Sequence, residues 1–145
     1  MNEANKAIVR RLFDECLNRH DADRHSEFYA DVVYRAPAIG ELRGEAHRQF
    51  LLSLFSAFPD ARWTMEDQIA EGDKVATRWS FLGTHSGTFM GIAPTGNHVI
   101  TGGICIDHIV GGKIVEEWEE WDTLGLTQQL SAVAPSMSIG DMVAP

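Results

Sequence analysis

Apolar positions repeat every three to four residues in the first part of the chain and every two residues from Arg62 onward. Asn5 to Leu17 carries Ile8, Leu12, Phe13, Cys16 and Leu17, a spacing that predicts an amphipathic helix. Residues 22–30 predict a second, short helix with Phe28 and Tyr29 turned inward. Asp31 to Arg35 reads as a strand stopped by Pro37, which cannot donate to a ladder. Glu45 to Phe58 predicts a third helix, with Phe50, Leu51, Leu54 and Phe55 on one side and Pro59 just after its end. Strands are then predicted near 62–69, 74–84, 97–109 and 113–122, separated by glycine-containing turns. Helices first and strands later give an α+β class: a curved antiparallel sheet with the N-terminal helices on one face. The pattern supports one domain over 1–130, and the aperiodic tail 131–145 is expected to be flexible or held by a neighbouring subunit.

Two hairpins follow from the turns. Pro94-Thr95-Gly96-Asn97 is expected to close the first and Gly111-Gly112 the second, where paired glycines permit positive φ. With Val110 opposite Lys113, His108 would face Val115, Ile106 would face Glu117 and Ile104 would face Glu119. One face then holds Ile104, Ile106, His108, Glu117, Glu119 and Trp121, and the other holds Cys105, Asp107, Ile114, Glu116, Trp118, Glu120 and Asp122. The first set is expected to face a pocket, because Ile100, Ile104 and Ile106 form an apolar line that helices should cover. A carboxyl group on such a wall loses water and holds its proton more tightly, which suits a base working near neutral pH. A single β-bulge would exchange the faces and bring Asp122 inside instead. The plainer alternative is a solvated acidic edge built from Glu116, Glu117, Glu119 and Glu120.

Composition narrows the function classes. Twelve Lys and Arg against 21 Asp and Glu leave a net charge of -9, which argues against nucleic acid. There is no apolar run of about eighteen residues, and the first residues read as a polar helix start, so a soluble, cytoplasmic protein without membrane contact is expected. Cys16 and Cys105 are far apart and read as buried free thiols. The scattered histidines make a metal an unfavoured reading, and His85 reads as a structural turn residue. Neither a glycine-rich phosphate loop nor a serine nucleophile elbow is present, so no cofactor is expected.

Gly83-Thr-His-Ser-Gly-Thr-Phe-Met-Gly-Ile-Ala-Pro-Thr-Gly96, Gly112-Lys-Ile-Val-Glu-Glu-Trp118 and Asp122-x-Leu-Gly-Leu-x-Gln-Gln-Leu130 resemble the SnoaL-like polyketide cyclases. Tyr29-Ala-Asp-Val-Val33, Ala57-Phe-Pro-Asp60 and Glu71-Gly-Asp-Lys-Val75 resemble them too, so the likeness runs to about Leu130. It implies the nuclear-transport-factor-2-like fold, a cone of curved sheet closed by helices around an apolar cavity, usually a homodimer or homotetramer. It also implies cofactor-free closure of an aromatic polyketide ring by an intramolecular aldol step, with Glu119 at the place of the family's acid/base aspartate. Ketosteroid isomerase shares the fold, but its base position is Ala36 here and its first-helix tyrosine is Phe13, which disfavours that chemistry.

The expectation is therefore an enzyme acting on a flat, apolar, carbonyl-bearing molecule. Glu119 would be the base, His108 the donor to the developing enolate, and Glu117 or Asp122 substitute bases. Tyr34 and Trp79 would supply aromatic walls, with Phe13, Phe50, Trp121, Ile104 and Ile106 completing the substrate surface. The alternatives are a hydroxylase or isomerase of the same fold, or a protein that only binds a small lipophilic ligand.

Overall fold

The computed structural model describes residues 2–131. The first helix, α1 (Asn2–Leu12), runs into a single wide π-turn, Phe13–Leu17, closed by the Asn18 N–H on the Phe13 carbonyl at 2.9 Å. Asn18 then clasps the Trp63 backbone from both sides, donating to its carbonyl at 2.9 Å and accepting from its N–H at 2.7 Å. This clasp ties the helix end to the sheet and turns Phe13 and Leu17 inward. The second helical stretch is a 3₁₀ turn, Ala22–Arg24, followed by α2 (His25–Phe28). Strand β1 (Tyr29–Ala36), a short β2 (Gly40–Arg43) and α3 (Glu45–Ala57) follow. The second half is β3 (Arg62–Glu71), β4 (Lys74–Thr84), β5 (His98–Val110) and β6 (Lys113–Trp121), ending in α4 (Thr123–Ser131).

The six strands form one curved, unclosed sheet in the order β2-β1-β6-β5-β4-β3. The expectation of an antiparallel sheet holds except at its middle, where β1 runs parallel to β6. That pairing brings the first strand beside the last, and so places Tyr34 opposite Glu117. Strand β2 and helix α4 were not anticipated, and β4 and β5 are joined by the whole stretch 85–97 rather than by a tight turn at 94–97. His85 organises that connection: it is fully buried, its Nδ1 lies 3.0 Å from Thr95 Oγ1, and its backbone pairs with Gly96 and Asn97. Of the expected tail 131–145, Ser131 closes α4 and the rest lies outside the described residues.

Gly111 and Gly112 take φ angles of 59° and 81°, and Val110 pairs with Lys113 as the turn requires. The register then slips. Ile109 faces Ile114, but His108 faces Glu116, so Val115 is the extra residue of a β-bulge. Beyond the bulge Asp107 faces Glu117, Cys105 faces Glu119 and Gly103 faces Trp121. The inward face of the sheet therefore carries rows that run across strands: Val75, Asp107, Glu117 and Tyr34; Thr77, Cys105 and Glu119; Trp79, Gly103 and Trp121. Helices α1 and α3 cover these rows with Val9, Leu12, Leu51 and Phe55, and α4 adds Leu126 and Leu130.

Gly103 lets the two flanking tryptophans stand over bare backbone. A methyl group there would collide with the Glu120 carbonyl oxygen and sit 2.7 Å from Trp121 Cβ. Gly103→Ala is thus expected to lower the unfolding free energy by about 2 kcal/mol in a urea titration, with an unchanged slope. An unaltered midpoint would mean that β5 and β6 can separate there without cost.

Candidate active site

Three carboxyl groups end up under the helices. Asp107 is fully buried, Glu117 is 6% exposed, and Glu119 lines the cavity one step along the strand. Among the described residues no lysine or arginine forms an ion pair with any of them; the nearest basic group is His47 of α3, whose Nε2 lies 3.9 Å from Glu117 Oε1. His47 is itself held by His25 of α2, with His25 Nε2 and His47 Nδ1 2.9 Å apart. The Tyr34 hydroxyl donates to Glu119 Oε1 at 2.7 Å. The Asp107 carboxyl has one oxygen against the Cys105 thiol at 3.7 Å, and the other has no partner.

Tyr34, His47, Cys105, Glu117 and Glu119 line a chamber of about 40 Å³, room for one or two water molecules, and Asp107 is buried beside it, opposite Glu117. Phe13, Leu17, Tyr29, Phe50, Leu51 and Trp63 form its apolar walls. A second chamber of about 30 Å³ adjoins it, bounded by Phe81, Thr101, Trp121 and Leu126. Phe50, Leu54, Trp79 and Glu119 border both, so shifting the two α3 side chains would join them. The indole N–H groups of Trp79 and Trp121 are buried without a hydrogen-bond partner. The Trp79 group lies close enough to favour the charged form of Glu119, although their geometry falls short of a good hydrogen bond.

Seven of the residues expected at the site meet here: Phe13, Tyr34, Phe50, Trp79, Glu117, Glu119 and Trp121. Four do not. Ile104 and Ile106 are 50% and 41% exposed on the outer face, because β5 turns its odd-numbered residues inward along its length, while the bulge at Val115 shifts β6 so that Glu117 and Glu119 join them. His108 goes outward with them, its Nε2 2.7 Å from Asp73 Oδ2 and its Nδ1 3.2 Å from Glu116 Oε1. Asp122 lies past the end of β6 and caps α4, where its carboxylate accepts from the Gly125 N–H at 2.9 Å. Asp107, His47 and Tyr29 were not anticipated. His47 stands four residues before Leu51 on the buried side of α3, a spacing that could have found it.

Burial dominates the electrostatics. It raises Asp107 to about 7 and lifts Glu117 well above the carboxylate range, where the Asp107 charge pushes it further. Glu119 is raised to about 8, first by burial and then by the Glu117 charge, with Tyr34 and Trp79 pulling the other way. The Tyr34 phenol is pushed far up by burial and by Glu119, so it donates a hydrogen bond without surrendering its proton. Burial also lowers His47 to about 3 and His25 to about 4, so both are neutral near pH 7.

Comparison with known proteins agrees with this architecture. A sequence profile of SnoaL-like polyketide cyclases matches residues 7–130. No curated protein matches by sequence. Among solved structures, AclR of Streptomyces galilaeus, a proposed hydroxylase, is 26% identical with a TM-score of 0.86, over 98% of this chain and 89% of that one. A proposed SnoaL-like polyketide cyclase from Jannaschia sp. is 25% identical with a TM-score of 0.84, over 92% and 95%. IdmH of Streptomyces antibioticus, a proposed polyketide cyclase, is 28% identical with a TM-score of 0.76, over 88% and 99%.

The carboxyl groups bind protons more tightly folded than unfolded, so their contribution to stability is lost as pH rises. His25 and His47, lowered on folding, act oppositely, but only below their ordinary value of 6.5. His108, raised chiefly by its bond to Glu116, acts in the same direction as the carboxyls. Between about pH 6.5 and 9 the urea midpoint is therefore expected to fall, and Glu119→Gln to flatten that fall. An equal slope in the variant would place Glu119 in water.

Proposed function

Because the chain belongs to the SnoaL-like polyketide cyclase family, we propose that it is a cofactor-independent acid/base enzyme that closes a ring in a flat, apolar, carbonyl-bearing polyketide by an intramolecular aldol step. The observation that carries this reading is Glu119, a carboxyl raised to about 8, hydrogen-bonded to a buried phenol and bordering both chambers. A group with that affinity serves near neutral pH as either base or acid.

In its ionised form Glu119 removes a proton from carbon next to a substrate carbonyl. The resulting enolate carbon attacks a second carbonyl of the same molecule, a C–C bond forms, and the C=O π electrons move to oxygen. The alkoxide takes back the proton held by Glu119, so the ring closes with no net gain or loss of protons. An enolate in a low-dielectric chamber needs a fixed donor. With His108 outside, that role passes to Tyr34, whose hydroxyl is 2.7 Å from the base. The unpaired N–H groups of Trp79 and Trp121 suit further carbonyl oxygens, since a buried donor is costly until it is met.

Neither chamber holds a fused-ring molecule as it stands, because pockets for such ligands run to about 300 Å³ or more. Binding is read as the displacement of Phe50 and Leu54 on α3, which join the chambers and set the reacting edge against Glu119.

The likeness to AclR supports a second reading, hydroxylation of such a substrate. Product mass separates the two: ring closure without dehydration leaves it unchanged, and hydroxylation adds one oxygen atom. Against a panel of linear and partly cyclised aromatic polyketides, Glu119→Gln is expected to lose about 100-fold or more in turnover while keeping its fold, and Tyr34→Phe about 100-fold. Full turnover in Glu119→Gln would reject the assignment. Ligand retained unchanged by the wild type and the Gln variant alike would favour a binding protein.

The outer face of the sheet extends the proposal to a homodimer. Register aligns Ile69, Ala76, Ile106 and Trp118 across four strands, with Ile100 and Ile104 beside them. Ile69 and Ile100 are 67% and 69% exposed. An apolar stripe of this extent on a sheet is a contact surface for a second copy. Light scattering is expected to give a dimer for the wild type and a monomer for Ile104→Glu; a monomeric wild type contradicts it.

A further inference from the structure

Asp107 is used by nothing in the mechanism above, yet it is the most enclosed ionisable side chain on the inward face. It directly opposes Glu117 in the β5–β6 register, and Cys105 opposes Glu119 one row along. The Cys105 sulfur and one carboxyl oxygen each of Asp107 and Glu117 all lie within 4.8 Å of one another. Every ionisable group facing this pair from the packed elements is neutral at rest or also acidic. Tyr29 and Tyr34 come from β1, His47 from α3 with His25 of α2 behind it, Cys105 from β5 and Glu119 from β6. Two buried carboxyl groups this close, with no lysine or arginine paired to them among the described residues, do not both ionise near neutrality. One Asp107 oxygen, buried and without a donor, is left to accept such a proton.

We propose that Asp107 and Glu117 hold a proton between them and act as positioning residues for Glu119, setting by their single negative charge when it accepts a proton and when it gives one up. The role rests on the acid/base reading of Glu119; the shared proton does not. While the pair is neutral, Glu119 ionises readily and is a base. Once the pair has lost one of its two protons and carries a single charge, Glu119 is held protonated and is an acid. The chamber thus carries about one negative charge across the pH range in which the enzyme would work, whichever carboxyl bears it. No bond to substrate is needed from either member of the pair.

The test is a pH titration of side-chain carboxyl ¹³C resonances in the intact chain, labelled at Asp Cγ and Glu Cδ, followed in wild type, Asp107→Asn and Glu117→Gln. In the wild type, Asp107 and Glu117 are expected to titrate as a coupled pair, with neither fully ionised at pH 6. In Glu117→Gln, the Glu119 midpoint is expected to fall by about one pH unit or more, because the charge that raises it is gone. A purely structural role for the pair would leave that midpoint in place. Asp107→Asn gives a second variant should Glu117→Gln fail to fold; there Glu117, freed of the Asp107 charge, is expected to ionise at lower pH. The proposal is overturned if Asp107 and Glu117 titrate independently in the ordinary carboxylate range, or if Glu119 is unmoved in both variants. It is also overturned if the purified chain retains one equivalent of a divalent cation that Asp107→Asn loses, since a metal would replace the shared proton. Loss of the catalytic reading, by an active Glu119→Gln, would leave all of these resonances unaffected.

Discussion

Asp107, Glu117 and the half-buried Glu119 gather under the helices with no lysine or arginine paired to them among the described residues, and the rest of the architecture is arranged around that constraint. Removing a carboxylate from water costs far more than one hydrogen bond returns, so such groups remain protonated instead. Tyr34, the Cys105 thiol and the neutral His47 are compatible neighbours for protonated acids. The acids on the other face of the same strand behave quite differently. Glu116 meets Arg35 at 3.1 Å and His108 at 3.2 Å, and these partners hold its carboxyl below the usual range. One residue of strand phase separates an ordinary surface ion pair from a carboxyl group that holds its proton.

The bulge at Val115 sets that phase. Without it Glu117 would face Ile106 and Glu119 would face Ile104; with it they face Asp107 and Cys105. An extra residue on one strand thereby converts a wall of hydrocarbon opposite two acids into a cluster of coupled titrating groups. The parallel pairing of β1 with β6 completes the cluster, because it delivers Tyr34 from the other end of the sequence. Trp79 and the half-buried Trp121, separated only by Gly103, extend the same inward face into the chamber beside it.

Much of this was legible in the letters. The change from helical to strand period, the Gly111-Gly112 turn and the alternation Glu117, Glu119, Trp121 led to the α+β class and to three side chains inside the cavity. The isoleucines at 100, 104 and 106 misled, because an apolar line in a strand was read as core when it lies on the outer sheet face. The true inward line of β5 is Val99, Thr101, Gly103, Cys105, Asp107 and Ile109, whose polar members conceal its burial. A bulge leaves no composition signal of its own here, so register could be fixed at the turn but not carried past it. Asp122 followed the same error, since a residue just beyond a strand end is as readily a helix cap as a base.

The central claim, that the chamber keeps its acids protonated near neutrality, is most directly tested by infrared spectroscopy of the carboxyl stretch at pH 6, with Glu119→Gln and Asp107→Asn as difference partners. Protonated carbonyl bands in the wild type, each reduced in the variant that removes its carboxyl, are what the structure predicts. Carboxylate bands alone, with no protonated component lost in either variant, would contradict it.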